Sequence, residues 1–238
     1  MKTFKLIGMA LIAITLCVNF AACSDDDDDD NNGSPSETLP NLGKRLVSIT
    51  EDGEEAVLKY NSQGWLEKVT FTDDDPLTVN YSHQTATLTW GGDNPELEGE
   101  YTYDNLLRRV KYSHGSESCT YDEEGHLIQM GNKKLDWYNG NVISIKENGE
   151  VTSFTYYTNQ ENRYYSFVSD PVFYVEDSFF LIAHPQLLGK MSKNLVKTCQ
   201  EGNTTYHYTY ETDKDGYITK VIETDDYGDS TTLTLVWK

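Results

Sequence analysis

The segment Leu58-Lys-Tyr60-Asn-Ser-Gln-Gly64-Trp-Leu66-Glu-Lys-Val69 contains a pattern that organises most of the chain. A short strand ends in an aromatic residue and runs into polar residues that finish in glycine. An aliphatic residue follows two positions after the glycine, and an apolar residue follows five positions after it. Glycine tolerates the positive φ that a tight turn needs, and the returning strand then places its apolar residues on one side. The segment therefore predicts a β-hairpin.

The same spacing recurs further along the chain. The glycines of the three later copies, each preceded by a strand that ends in aromatic residues, are Gly125, Gly140 and Gly216. From residue 46 onward the chain alternates apolar and polar residues, with turn signals at short intervals, which is typical of many short antiparallel strands. Repeated hairpins bury their apolar faces against their neighbours. The sequence thus predicts an all-β protein: an antiparallel meander of repeated Tyr-rich hairpins that forms a curved or barrel-like sheet.

One segment interrupts this repeat. Residues 177–197 contain the run Phe179-Phe-Leu-Ile-Ala-His-Pro185-Gln-Leu-Leu-Gly189. Proline fits a first helical turn and glycine fits a helix end. We predict one short helix or packed loop near 180–195, lying as a plug or lid over one end of the sheet.

The N-terminus predicts export. Residues 1–22 begin with a positive charge, and the apolar run Leu6–Val18 is too short for a membrane-spanning helix but suits a signal peptide. Ala21 and Ala22 stand directly before Cys23, as in a bacterial lipoprotein signal, where cleavage precedes a cysteine that carries the lipids. The alternative is an ordinary secretory signal cut after Ala22. Lipidation of Cys23 is favoured, because a plain cleavage site does not require a cysteine there.

Residues 23–40 form an acidic tether after the lipidated cysteine. Ser24 is followed by six consecutive aspartates, and such a run of like charges repels itself and stays solvated. The run resembles the export signal of surface lipoproteins in Bacteroidetes-type bacteria, carried by Ser24, Asp25, Asp26, Asp27 and Asp28. We predict an outer-membrane protein, lipid-anchored and exposed at the cell surface, with residues 41–238 as a single all-β domain. The alternative function of residues 23–40 is that of a plain spacer.

The charge of the chain limits its partners. There are 39 acidic and 19 basic residues, giving a formal net charge of -20. Binding to phosphate backbones needs a basic face, so nucleic acid is excluded as a partner. Electrostatic docking on anionic lipid is disfavoured for the same reason. The predicted membrane contact is therefore the lipid anchor alone.

Motifs for catalysis or cofactor binding do not emerge from the sequence. None of the five histidines stands at metal-ligand spacing from another histidine or cysteine, and there is no nucleophile elbow or phosphate-binding glycine loop. The segment Glu211-Thr-Asp213-Lys-Asp215-Gly216 imitates the start of a calcium loop. Its twelfth position is Ile222 instead of glutamate, so a plain turn is favoured. We predict no catalytic residue, no metal and no cofactor.

Two cysteines fall in the predicted domain, Cys119 and Cys199. An exported pair can form a disulfide, but the sequence does not tell whether the two residues are close enough. Two free buried thiols are the alternative, and both interpretations stay open at this point.

Aromatic residues are in excess, with 17 tyrosines and 4 tryptophans against 8 phenylalanines. Tyrosine favours strands, so cross-strand ladders that fill a thin core explain the excess most simply. The functional interpretation is a sugar-binding face, where flat rings stack on the C–H surfaces of sugars. Its candidate residues are Trp65, Trp90, Trp137 and Tyr217.

The whole layout resembles a known family. The lipoprotein signal, the Ser-Asp run, the Tyr-rich hairpins and the segment Leu187-Leu-Gly-Lys-Met-Ser-Lys-Asn-Leu195 all recur in the Bacteroidetes lipoprotein family called domain of unknown function 4595. The resemblance covers about residues 42–238. It implies a porin-like fold, an antiparallel and strongly curved sheet, and it implies no activity.

Three functions remain in competition. The surface address and the polar aromatic residues favour a non-catalytic binding module for a glycan or protein ligand at the cell envelope. A glycoside hydrolase-type enzyme with paired carboxylates is an alternative, because acids are plentiful and such a pair needs only the correct separation in a cleft. A structural or envelope-assembly protein that binds other proteins is the third.

Overall fold

The computed structural model describes residues 43–82, 84–93, 95–103, 109–112, 117–163, 170–172 and 179–238. The described residues form sixteen β-strands and one short α-helix followed by a 3-10 turn. The strands are β1 Leu46–Glu51, β2 Glu54–Tyr60, β3 Leu66–Phe71, β4 Leu77–Ser82, β5 Thr85–Trp90, β6 Glu96–Tyr103, β7 Arg109–Tyr112, β8 Glu117–Tyr121, β9 Leu127–Met130, β10 Lys133–Tyr138, β11 Asn141–Glu147, β12 Glu150–Glu161, β13 Asn194–Glu201, β14 Thr204–Thr212, β15 Ile218–Asp225 and β16 Ser230–Trp237; the helix α1 is Phe179–Ala183 and the 3-10 turn is Pro185–Leu188. Within these ranges no helix has the length and apolar character needed to cross a membrane.

The strands form one antiparallel meander. Each strand pairs with the strands before and after it in sequence, and β1 also pairs with β16, so the strand order closes on itself. At this closure Ile49 lies opposite Leu235, both fully or almost fully buried. The predicted all-β meander of hairpins is confirmed.

The turns alternate between two ends of the sheet. The end that holds the turns after β2, β8, β10 and β14 is called the proximal end, and it also holds the pairing of Arg45 with Lys238 (N to O, 2.6 Å). The end that holds the turns after β1, β9, β11, β13 and β15 is called the distal end. β12 ends and β13 begins at the proximal end, and α1 lies between them in the chain.

A side-chain cap explains the repeated turn. In the turn after β8, Asp122 Oδ1 accepts hydrogen bonds from the backbone N–H groups of Glu124 and His126, both at 2.9 Å. Gly125 takes a φ of +88°, which its missing Cβ permits. The same arrangement, an Asx cap with glycine three residues later, starts at Asn61, Asp213 and Asp225. The Gly140 copy differs, because Asn139 and Gly140 form a two-residue turn with φ of +50° and +77°.

We expect Asp122→Ala to lower the free energy of unfolding by about 1–2 kcal/mol, because two backbone donors lose their acceptor. Chemical denaturation of the variant and the parent protein measures this difference. Glu123→Ala is the matched control, since Glu123 is exposed in the same turn. Equal stability of the two variants would show that the cap contributes nothing.

Two tyrosine hydroxyls donate hydrogen bonds to backbone carbonyl groups near the ends of strands. Tyr60 OH donates to Leu46 O at 2.7 Å, and Tyr210 OH donates to Val196 O at 2.8 Å. The accepting residues lie at shifts in the pairing register, between Leu46 and Ser48 and next to the Val196–Tyr156 pair. A carbonyl at such a bulge is left without its regular ladder partner and needs another donor. These tyrosines therefore stabilise the sheet itself.

Helix α1 and the 3-10 turn pack into the interior. Phe180 is fully buried and stacks on Tyr101 with ring centroids 5.1 Å apart, and Phe179 contacts Phe71 edge-on at 5.1 Å. The 3-10 turn begins at Pro185 and ends before Gly189, whose φ is +82°. A Cβ at Gly189 would lie 2.5 Å from Gly125 O, so glycine is required there. The predicted short helix near 180–195 is confirmed, and it forms a plug in the interior that reaches from Phe71 at the distal end of β3 to Gly125 at the proximal end.

Candidate functional site

Strand β12 departs from regular pairing near its end. Tyr156 pairs with Val196, and the next pair joins Glu161 to Asn194. β12 therefore advances by five residues where β13 advances by two, and the extra residues protrude from the sheet. Bulges of this kind redirect side chains and are common beside functional sites.

An open groove with a volume of about 490 Å³ lies beside this irregularity, and we call it the bulge groove. Its walls come from the protruding part of β12, from β13 and β14, and from the turn after β14. The lining residues are Thr158, Asn159, Gln160, Glu161, Arg163, Leu195, Tyr210, Thr212 and Gly216.

The floor of the groove is held in place by aromatic contacts. Leu195 is 6% exposed, and Tyr210 is half-buried with its hydroxyl bound to Val196 O. Tyr157 packs edge-on against Tyr210 with ring centroids 6.3 Å apart, and its hydroxyl donates to Tyr208 O at 2.9 Å. Because both rings are fixed by hydrogen bonds, the groove presents a preformed surface.

The rim of the groove carries mostly neutral polar groups. Thr158, Asn159 and Gln160 are exposed, and their hydroxyl and amides can both donate and accept hydrogen bonds. Arg163 pairs with Glu161 at 3.1 Å, and both side chains are more than half exposed. Uncharged hydrogen-bonding groups around a tyrosine ring suit a ligand that carries several hydroxyls.

A buried polar cluster supports the groove from behind, and we call it the Asp170 clamp. Asp170 is 2% exposed, and its carboxylate accepts hydrogen bonds from Asn162 Nδ2 (2.8 Å), Val172 N (3.1 Å), Ser192 N (2.9 Å) and Ser192 Oγ (3.3 Å). Ser192 Oγ lies 3.2 Å from Tyr156 OH, which in turn donates to the carbonyl of Val142.

Burial and hydrogen bonding act on the clamp in opposite directions. Burial raises the pKa of Asp170 to about 7, although the four donors favour the charged form. Burial also raises the pKa of Tyr156, so that its hydroxyl stays neutral. Asp170 therefore exchanges its proton near neutral pH, far above the ordinary range for aspartate.

Two carboxyl groups on the interior face of the sheet also have altered proton affinity. Burial raises the pKa of Glu223 to about 7, and burial raises the pKa of Glu201 as well. Burial raises the pKa of Tyr206, and the nearby negative charges of Glu201 and Glu223 raise it further. Cys199 Sγ donates to Glu201 Oε1 at 3.8 Å. The two acids thus share one side of the interior, on β13 and β15.

The four aromatic candidates from the sequence are not gathered on one exposed face. Trp65 is fully buried and stacks on Tyr103 with centroids 5.6 Å apart. Tyr217 is 5% exposed, and its hydroxyl accepts a hydrogen bond from Lys44 N at 2.9 Å. Both follow the glycine of a capped turn, which directs the next side chain inward.

The other two candidates are half-buried and lie at different ends of the sheet. Trp90 ends β5 at the distal end and packs on Phe71 with centroids 5.3 Å apart. Trp137 lies on β10 toward the proximal end, where its Nε1 donates to Leu127 O at 2.8 Å and its ring lies 4.4 Å from that of His126. Packing accounts for the positions of these rings.

The structure bears on two further alternatives from the sequence. Cys119 and Cys199 do not form the disulfide that the sequence left open; Cys199 is buried and Cys119 is half-buried. In the turn that imitates a calcium loop, Lys44 Nζ lies 2.6 Å from Asp213 Oδ2 and 2.7 Å from Asp215 Oδ2, so an ammonium group pairs with these carboxylates. Across the ranges that the structure describes, no group of three or more metal-ligating side chains comes together.

The predicted signal peptide, lipid attachment site and export signal lie outside the described residues. This applies to the signal peptide 1–22, to Cys23, to the export signal Ser24, Asp25, Asp26, Asp27 and Asp28, and to the rest of the tether 23–40. Lipid attachment and surface export therefore stay predictions.

Sequence reasoning missed the bulge groove. The available signal was the run Tyr156-Tyr-Thr-Asn-Gln-Glu161, in which two adjacent tyrosines break the alternation and four polar residues follow. Such a run is incompatible with a regular strand that buries every second residue. It therefore could have indicated an irregular strand end.

Comparison with known proteins supports the fold. No family model matches the chain, and no curated protein matches it. Among solved structures, a porin-like protein from Bacteroides uniformis is similar with a TM-score of 0.60 and 18% identity, covering 86% of this chain and 100% of that one. A porin-like protein from Bacteroides vulgatus gives a TM-score of 0.45 and 13% identity, covering 81% of this chain and 98% of that one. The first similarity establishes a porin-like fold, and the proposed family membership stays a prediction.

Proposed function

We propose that this chain is a lipid-anchored protein of the bacterial outer membrane that acts as a non-catalytic binding module, with a glycan bound in the bulge groove. The observation that carries the proposal is the groove itself, which has a volume of about 490 Å³. It is lined by the hydroxyl of Thr158, the amides of Asn159 and Gln160, and the ring of Tyr210. Ligand sites in proteins combine an apolar surface with a few polar groups that fix orientation.

The chemistry of the lining favours a neutral, hydroxyl-rich ligand. Asn159 and Gln160 offer both donors and acceptors, which matches sugar hydroxyls that also do both. The chain carries a net charge of -20, which works against polyanionic ligands. The lipoprotein signal ending at Cys23 and the acidic run after it support a location at the cell surface, where glycans are abundant.

We expect affinity electrophoresis of the protein to show retardation by at least one member of a panel of host and dietary polysaccharides. The triple variant Asn159→Ala, Gln160→Ala, Arg163→Ala should weaken binding to that polysaccharide by about tenfold or more, because several hydrogen bonds are lost. These side chains are exposed, so the variant should fold normally.

The matched control is Asn203→Ala, which removes an exposed amide from a turn at the distal end. It should leave retardation unchanged. Absence of retardation with every polysaccharide would overturn the glycan proposal, and retention of envelope proteins by the immobilised protein would then favour a protein partner. Loss of binding in the control alone would place the ligand site at the distal end.

A hydrolase is the second candidate, and Glu201 and Glu223 are the observation that favours it. Burial raises the pKa of Glu223 to about 7, which suits a general acid, and burial also raises the pKa of Glu201 on the same interior face. Release of reducing ends from the same polysaccharides tests this function. If the parent protein releases reducing ends and Glu223→Gln does not, the chain acts as an enzyme and the binding-module proposal fails.

A further inference from the structure

We propose that Asp170 is a positioning residue for the bulge groove, holding the two strands that form its walls at a fixed spacing. The inference rests on the proposed function, since it concerns the same groove. Asp170 does not line the groove and acts through residues that adjoin it.

The first connection runs to the β12 wall. Asn162 stands between the lining residues Glu161 and Arg163, and its side chain donates to Asp170 Oδ2 at 2.8 Å. The backbone N–H of Asn162 also donates to Lys193 O at 2.8 Å. Asp170 thus fixes the point at which the protruding part of β12 ends.

The second connection runs to the β13 wall. Both the backbone N–H and the hydroxyl of Ser192 donate to Asp170, and Ser192 precedes the groove residue Leu195 by three positions. Ser192 Oγ also lies 3.2 Å from the hydroxyl of Tyr156, whose pair with Val196 directly precedes the shift to the Glu161–Asn194 pair. The Asp170 carboxylate therefore binds Asn162 at the end of the bulge and Ser192 on the β13 wall. Through Ser192 it is also connected to Tyr156, where the bulge begins.

The charge of Asp170 controls how firmly this link holds. Tyr156 is the titratable group facing Asp170 from β12, and Tyr210 and Cys199 lie behind it. Of the nearby cations that the structure describes, Arg163 pairs with Glu161, and Lys193 packs its stem near Gly140. The ionised carboxylate is thus held by four hydrogen-bond donors with no described ammonium or guanidinium as a partner.

The direction of the pH effect follows from the pKa of Asp170, which burial raises to about 7. The unfolded chain ionises this group near its ordinary value of about 4. Between these values the folded protein binds the extra proton, so the stability contributed by the clamp falls as pH rises toward about 7. The walls of the groove should loosen over the same interval.

Hydrogen–deuterium exchange of the full protein tests this without a ligand. We expect the backbone amides of residues 158–163 and 192–195, corrected for intrinsic rates, to lose about tenfold of their protection between about pH 5 and pH 8. Asp170→Asn should abolish this pH dependence. Ser192→Ala, which removes one donor and keeps the carboxylate, should retain it.

Tyr81→Phe is the control for general loss of stability, because Tyr81 OH donates to Leu66 O at 2.7 Å on the far strands β3 and β4. It should leave the exchange of residues 158–163 unchanged. The proposal would be overturned if the protection of residues 158–163 did not depend on pH in the parent protein. It would also be overturned if that protection kept its pH dependence in Asp170→Asn.

Binding assays separate this proposal from the proposed function. If the groove variants abolish polysaccharide retardation, Asp170→Asn should weaken it by about tenfold and flatten its pH profile. Retention of parental affinity and pH profile in Asp170→Asn would contradict the positioning role alone. If no polysaccharide binds while the exchange pattern appears as expected, the positioning role stands and the glycan proposal fails.

Discussion

His184→Ala should lower the free energy of unfolding by about 4 kcal/mol, one of the two largest effects we expect for a single substitution. The imidazole is 1% exposed and contacts the rings of Trp65 (5.0 Å) and Phe180 (5.2 Å). Its Nε2 accepts a hydrogen bond from Leu66 N at 2.9 Å. The variant loses aromatic packing and leaves a buried backbone donor without its acceptor.

Acidification should remove part of the same stability. Burial lowers the pKa of His184 to about 3, whereas the unfolded chain titrates near the ordinary value of about 6.5. Below the unfolded value the unfolded state binds the proton that the folded state excludes, so stability falls as pH drops from about 6.5 toward 3.

Urea denaturation at several pH values measures both effects. His184→Gln removes the titration and should lose less stability on acidification than the parent protein. His207→Ala is the matched control, because the His207 side chain is 54% exposed and its loss should change stability by less than about 0.5 kcal/mol. A His184→Ala variant as stable as His207→Ala would show that the plug does not anchor the proximal end.

The hairpin architecture was predictable because its determinants are local. A capping Asn or Asp, a glycine three positions later and an apolar residue beyond it lie within a few residues, as in Asn61-Ser-Gln-Gly64-Trp65. The Asp52-Gly53 and Asn148-Gly149 pairs, with positive φ at both residues, are equally local turn signals. The plug was predictable for the same reason, from Pro185 and Gly189.

Beyond the irregular end of β12, the candidate site was not predictable, because it depends on contacts between distant residues. The bulge groove arises where β12 and β13 fall out of register, a property of two strands separated by a long connection. The Asp170 clamp joins Ser192, 22 positions away, and nothing near Asp170 in the sequence indicates that its carboxylate is buried. The excess of aromatic residues is evident from the sequence, but whether a ring faces the interior depends on the turn before it.

Trp65 shows this dependence most clearly. The Asn61 side chain accepts hydrogen bonds from the backbone N–H groups of Gln63 and Trp65, both at 3.0 Å, which fixes the backbone of the turn. The indole then enters the interior beside Tyr81 (5.3 Å) and Tyr103 (5.6 Å). A ring in this position contributes to stability and is not available to stack on a sugar.

We therefore expect Trp65→Ala to lower the free energy of unfolding by about 4 kcal/mol while leaving the affinity of the folded protein for any polysaccharide unchanged. Denaturation and affinity electrophoresis at a temperature where the variant is folded measure the two quantities separately. Trp90→Ala is the comparison, since the half-buried Trp90 ring should contribute less to stability.

Because Trp65 contacts His184, the double variant Trp65→Ala, His184→Ala should lose less stability than the sum of the losses in the two single variants. If folded Trp65→Ala bound a polysaccharide more weakly than the parent protein, Trp65 would belong to the binding surface and its assignment to the core alone would be contradicted.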